Sequence, residues 1–183
     1  MFENRVRLRP INGRDWRYLA RLSFAAFPDA KPAQVSQTLR GVQNIIVLEI
    51  ARKPAGYAAF RTEREDLFWC DWMTVDPRYR SLGYGALLVS AVEAIAAQRG
   101  YTRIMLAVLK SNERAYKFHR AHGYEVAGED ARKYHLAKTI SGPFGEAPDI
   151  PERPRPRPIR LWHRLLYWLL VDLSGEARKA NGA

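Results

Sequence analysis

Val75-Asp76-Pro77-Arg78-Tyr79-Arg80-Ser81-Leu82-Gly83-Tyr84-Gly85-Ala86 joins a strand to a long helix through a turn punctuated by two glycines. Residues 68–75 are rich in aromatic and β-branched side chains and predict a strand. Asp76-Pro77 ends it, because proline cannot continue a ladder. Residues 86–98, ALLVSAVEAIAAQ, place apolar side chains at helical spacing and stop before Gly100. Between strand and helix, Gly83 and Gly85 permit backbone angles and close approaches that a Cβ would forbid. Unpaired amides at the helix start, aided by the helix dipole, then favour an anion. Arg80 sets a cation beside that site, and no Gly-Lys-Ser/Thr follows, which excludes a P-loop. From these residues alone two readings stand: a phosphate cradle, or a tight turn that binds nothing.

A second pattern follows at 112–124: Asn112-x-x-Ala115-x-x-Phe118-His119-x-x-x-Gly123-Tyr124. Val75, Arg80, Gly83, Gly85 and Ala86 together closely resemble the acetyl-CoA-binding signature of the GNAT N-acetyltransferase superfamily. The second pattern is similar to that family's Asn-x-x-Ala-x-x-Leu-Tyr-x-x-x-Gly-Phe segment, and the two occur in the family's order. The resemblance spans roughly residues 5–140. It implies an α/β fold with a twisted mixed sheet flanked by helices, and acetyl-CoA as the acyl donor.

Carried over position by position, the resemblance implies that Met73, Thr74 and Val75 lie where a strand splays to pair with the pantetheine arm. It implies that Leu82, Gly83, Tyr84, Gly85 and Ala86, in one loop with Arg80 and Ser81, grip the pyrophosphate, and that Asn112 adds a polar contact to the arm. One departure stands out. The family commonly has tyrosine where this chain has His119, and Phe118 replaces the usual leucine. His119 is then either the acid that protonates the leaving thiolate or a histidine packed on its helix. Tyr116, three residues earlier on the same helical face, is the alternative donor. For the base, Asp71 lies on the strand approaching the coenzyme. Glu63, Glu65 and Asp66 read as a solvated turn, and Trp69, Trp72, Tyr79 and Tyr84 as acceptor-cleft walls or core.

The chain of 183 residues, 47% hydrophobic, suits one domain with an appendage. The single cysteine, Cys70, excludes an internal disulfide, lacks neighbouring metal ligands and reads as a core thiol rather than a nucleophile. Residues 1–7 lack the apolar stretch of a signal peptide, so a cytoplasmic protein is expected. The net charge is +11; residues 1–140 hold 23 Lys and Arg against 14 Asp and Glu, so the excess lies in the catalytic region. A polyphosphorylated coenzyme accounts for part of it. No helix-turn-helix, zinc-finger or RNP pattern supports a nucleic-acid partner.

Further elements are expected along the chain. Residues 6–11 alternate as an early strand, and Asn12 or Asp15 caps a helix through Trp16, Leu19, Leu22 and Phe27. A short helix is expected at 31–40, strands at 44–51 and 55–61, and a charged turn at 62–66. A buried strand follows at 103–109, a helix at 112–122 capped by Asn112, and closing strands at 124–127 and 133–139.

The domain of residues 1–140 gives way to a proline-rich linker at 141–158. An amphipathic Trp- and Leu-rich helix is expected at 159–174 and a polar tail at 175–183. Arginines at its head suit a membrane surface; the same Trp162, Trp168 and leucines suit docking on the domain or on a dimer mate. Three functions are therefore in play. The leading one is acetyl transfer to a small-molecule or protein amine in a ternary complex. The others are membrane-surface acylation with a longer donor, and a non-catalytic acyl-CoA sensor.

Overall fold

The computed structural model describes residues 6–26, 39, 41, 42, 44–64 and 67–140. The elements run β1 (Val6–Pro10), α1 (Trp16–Ala26), β2 (Asn44–Ile50), β3 (Lys53–Arg64), β4 (Leu67–Val75), a 3-10 turn (Pro77–Tyr79), α2 (Tyr84–Gln98), β5 (Arg103–Leu109), α3 (Glu113–Ala121), β6 (Glu125–Glu129) and β7 (Lys133–Thr139). The linker, the amphipathic helix and the tail expected beyond 140 lie outside the described residues, as does the helix expected at 31–40 apart from Leu39.

Two expectations are corrected. β3 continues to Arg64, where a turn from Thr62 was expected, because Thr62 and Arg64 still pair with Phe68 and Leu67. α2 begins two residues earlier, at Tyr84, because Gly83 takes the N-cap position with φ of 83°.

Seven strands form one sheet in the order β1-β2-β3-β4-β5-β7-β6. Every neighbouring pair is antiparallel except β4 and β5, which α2 connects as a parallel pair. The sheet is therefore mixed. β2, NIIVLEI, is buried along its whole length because both faces are covered. On one face Ile46, Leu48, Phe60, Phe68, Ile104, Leu106 and Leu136 pack under Leu88, Val92 and Ile95 of α2. On the other, Val47, Tyr57, Ala59 and Trp72 pack with Leu19 and Leu22 of α1. Apolar burial of this kind is worth about 1.5–3 kcal/mol per large side chain.

Asp15 takes the N-cap position of α1, since its carbonyl accepts from the Leu19 amide at 2.9 Å. Its carboxylate turns back to accept from Arg9 Nη1 and Nη2 and from the Asn12 amide.

α2 and α3 stop in the same way. Gly100 (φ 80°) and Gly123 (φ 82°) adopt the left-handed conformation after each helix. Gly100 and Tyr101 donate to the carbonyls of Ala97 and Ala96; Gly123 and Tyr124 donate to those of Arg120 and His119. Both ends are Schellman motifs, which bring the residue after the glycine against the last turn of the helix.

Candidate active site

β4 and β5 pair from Leu67 with Arg103 to Cys70 with Leu106, and there the ladder ends. β4 runs on to Val75 beside β3, and β5 to Leu109 beside β7. The two strands therefore part, leaving residues 71–75 and 107–109 without ladder partners in each other. The parting coincides with a bulge: Ala59 pairs with Trp72 and Phe60 with Cys70, so Asp71 is the extra residue on β4. The bulge resets the alternation. Cys70 lies in the core under α2, Trp72 in the core under α1, and Met73 and Val75 return to the α2 side.

The loop beyond β4 is built to present amides. Ser81 and Gly83 both have positive φ, 62° and 83°. The first bond of α2 runs from the Leu87 amide to the Gly83 carbonyl, so the amides of Tyr84, Gly85 and Ala86 have no partner within the helix. Such successive free amides make an anion-binding concavity. A Cβ on Gly83 would meet nothing within 4 Å, so this glycine is needed for its angle. At Gly85 the group approaching is protein: a Cβ there would lie 3.1 Å from Cζ of Phe118, tighter than an ordinary contact, so that ring would have to give by a few tenths of an ångström. Leu82 stands at the tip, 62% exposed.

Several side chains brace this loop. Arg80 donates from Nε to the Val75 carbonyl at 2.9 Å, so its guanidinium is held at the end of β4. Asp76 accepts from the Tyr18 hydroxyl at 2.9 Å and from the Arg78 amide, Nε and Nη2. The Arg78 bonds hold the Asp76 carboxyl well below the usual range despite its burial, and burial, with the bond to Asp76 second, raises the Tyr18 phenol. Tyr18 thus ties α1 to the loop, a role its sequence context did not signal. Arg114 is a further brace that no motif marks; its Nη2 donates to Ser81 Oγ at 3.3 Å, linking α3 to the loop.

Gly56 is a further residue that spacing could not reveal. Thr74 O lies 2.7 Å from where its Cβ would stand, so only glycine lets β3 approach β4 beside the parting.

Asn112 caps α3 as expected, its Oδ1 accepting from the Ala115 amide at 3.1 Å. That leaves Nδ2 as the group available to a ligand. Tyr116 is half-buried, its ring centroid 4.8 Å from that of Tyr134 on β7.

His119, by contrast, is in the core, 8% exposed, with Nδ1 buried and unpartnered. Burial, with a smaller effect of His122, lowers its pKa from 6.5 to about 4, so the ring is neutral at pH 7. The cause is the Schellman end of α3. His119 occupies the position three residues before the cap, and its ring meets Tyr124 edge-on at 5.5 Å. Gly123, four residues on, was the signal for this packing.

Asp71 is ion-paired with Arg61 on β3, whose guanidinium also lies 5.5 Å from the Trp69 ring. One Asp71 oxygen, Oδ2, is buried without a hydrogen-bond partner. Trp69, half-buried, faces away from α2, and Trp72 is core; Tyr79 and Tyr84 meet edge-on at 6.4 Å beside the loop. Cys70 is buried and its thiol is pushed up to about 12 by desolvation, so it is a protonated core group.

The profile of the acetyltransferase (GNAT) family matches residues 13–124, which takes in the bulged strand, the parting, the loop and α3. The chain belongs to the GNAT family. Solved GNAT-like structures share its fold at low sequence identity. Ard1 from Thermoplasma volcanium is 16% identical, with 75% of this chain and 99% of that one covered at a TM-score of 0.66. Naa50 from Arabidopsis thaliana, in complex with the bisubstrate analogue CoA-Ac-MVNAL, is 20% identical over 73% of this chain and 98% of that one, at 0.63. PaiA N-acetyltransferase from Thermoplasma acidophilum, in complex with coenzyme A, is 13% identical over 74% and 99%, at 0.63. No curated protein matches the sequence. Among the described residues of this GNAT protein, no helix is long and apolar enough to cross a membrane.

Proposed function

We propose that this GNAT protein is an N-acetyltransferase that moves an acetyl group from acetyl-CoA to a primary amine by direct transfer in a ternary complex. The observation that carries this reading is the parting of β4 and β5 directly beside the free amides of residues 84–86. The parting offers unpaired strand edge to an extended, amide-bearing arm, and the loop offers donors to a diphosphate at the arm's end. Relatives of this fold are known with coenzyme A or a coenzyme A conjugate bound, which agrees with that assignment.

In this reading residues 73–75 line the arm, residues 80–86 hold the pyrophosphate, and Asn112 contacts the arm through Nδ2. The neutral amine attacks the thioester carbonyl carbon. A C–N bond forms, the C–S bond breaks, the nitrogen sheds its surplus N–H proton, ultimately to solvent, and the leaving thiolate needs a proton, which its donor regains from solvent. Tyr116 supplies it, since His119 is neutral at pH 7 and packed in the core. Asp71, already ion-paired with Arg61, draws the substrate's ammonium form toward the parting with its unpartnered oxygen.

Calorimetric titration with acetyl-CoA tests the reading. Micromolar binding by the wild type that is lost in Gly83→Asp supports it. No binding by the folded wild type overturns it.

A further inference from the structure

His135 on β7 stands at the mouth of the parting, and nothing in the motifs pointed to it. Its partner across the ladder is Ala107, the first residue of β5 beyond the last pair with β4. Partners in an antiparallel ladder share a face. Ile104, Leu106 and Val108 face α2, so Ala107 and His135 face the other side, as Trp69 does. Asp71 on β4 follows the last β4 partner, Cys70, just as Ala107 follows Leu106. Ala107 and His135 thus pair across β5 and β7, and Asp71, through Arg61 beside Trp69, belongs to the same face of the sheet where β4 parts from β5.

The surroundings of His135 suit proton transfer. Nε2 lies 3.0 Å from Asp130 Oδ2, while Asp130 Oδ1 accepts from the amides of Arg132 and Lys133 and is thereby fixed. Burial works against ionisation of Asp130, but those backbone bonds and the ring outweigh it and hold the carboxyl below its usual value. With Asp130 accepting from Nε2–H, the lone pair of the imidazole is on Nδ1, which has no protein partner among the described residues. A base whose far nitrogen is held by a carboxylate is the arrangement that activated nucleophiles use generally. The Trp69 ring lies on the same face, its centroid 6.4 Å from that of His135.

We infer that His135, oriented by Asp130, is the general base that takes the proton from the acceptor amine over Ala107. The inference rests on the proposed acetyl transfer. As the C–N bond forms, one N–H proton passes to Nδ1 of His135 and later to solvent, while the thiolate is protonated from the other face of the sheet. The two proton transfers are thereby kept apart by the sheet itself. Charged groups on the same face are Asp130, bonded to the ring, Lys133 two residues earlier on β7, and the Asp71–Arg61 pair of β4 and β3 beside Trp69.

The test uses the full chain, with acetyl-CoA and a primary amine probe, 2-phenylethylamine, followed by thiol release. His135→Gln should lower kcat about 100-fold or more and remove the acid limb of the kcat/KM profile, with calorimetric affinity for acetyl-CoA unchanged. Imidazole added to His135→Gly should restore part of the lost rate, which a merely structural role would not allow. A His135→Gln protein that keeps the wild-type rate and acid limb overturns the inference while leaving acetyl transfer intact. Parallel loss of coenzyme affinity and rate in a folded variant overturns it too. Absence of acetyl-CoA binding by the wild type instead removes the reading on which it rests.

Discussion

The loop at 81–86 and helix α3 lie at the same end of the sheet, one after β4 and the other after β5, yet they offer different things. The loop offers backbone amides set by two positive φ angles, so its chemistry depends on conformation more than on side-chain identity. α3 offers side chains, and there a change of residue changes what is available: the position where tyrosine is usual holds a histidine packed edge-on against Tyr124. One region is thus defined by backbone conformation and the other by side chains, so a substitution acts on each in a different way.

The strongest way to break the comparison is through the loop. Gly83→Asp places a β-carbon on a φ of 83° and a negative charge among the free amides. The strain alone is about 1–2 kcal/mol, and like-charge repulsion with the coenzyme adds to it. Acetyl-CoA binding should fall below calorimetric detection, while circular dichroism shows a folded protein.

On α3 the side chains should separate. Tyr116→Phe should lower kcat about 100-fold or more at pH 7, with KM for acetyl-CoA nearly unchanged. His119→Phe should keep its rate within a few-fold at the same pH. Steady-state kinetics that reverse this order would return the proton to His119.

His119 should instead show itself in stability. Its folded pKa is lowered to about 4 from 6.5, so below pH 6.5 the unfolded chain binds a proton that the folded chain refuses. This stability is fully present above pH 6.5 and is lost as pH falls toward 4. By pH 5 the loss is about 2 kcal/mol. Denaturant midpoints measured from pH 7 to 5 should fall more steeply in the wild type than in His119→Phe.

The smallest effect tests the contact between the two regions. Gly85→Ala gains helix propensity of about 1 kcal/mol but presses a methyl on Phe118, where overpacking costs about 1–3 kcal/mol. A net loss near 1 kcal/mol is expected in the wild type, and a gain in a Phe118→Leu background. The two substitutions should therefore couple in a double-mutant cycle.

Much of the fold was legible because local chemistry marks its own limits. The strand at 103–109 was readable from RIMLAVL with its exact bounds, and Asn112 was readable as a cap because its short carboxamide meets a free amide at the helix start. The Gly83 turn was readable because only glycine takes that angle without strain. The candidate site was less legible, since its side chains meet across strands distant in sequence.

Sequence by itself determined the order of strands and helices among the described residues, the glycine stop after α2 and the Gly83 turn, because each follows from bonds within a few residues. Tertiary structure alone decided that Asp71 bulges and pairs with Arg61, that the Phe118 ring approaches Gly85, that His119 is packed neutral against Tyr124, and that His135 stands opposite Ala107. Those outcomes depend on ladder register and on which face a side chain enters. A shift of one residue reverses the face, and a single-chain pattern carries no information about the partner strand that fixes it.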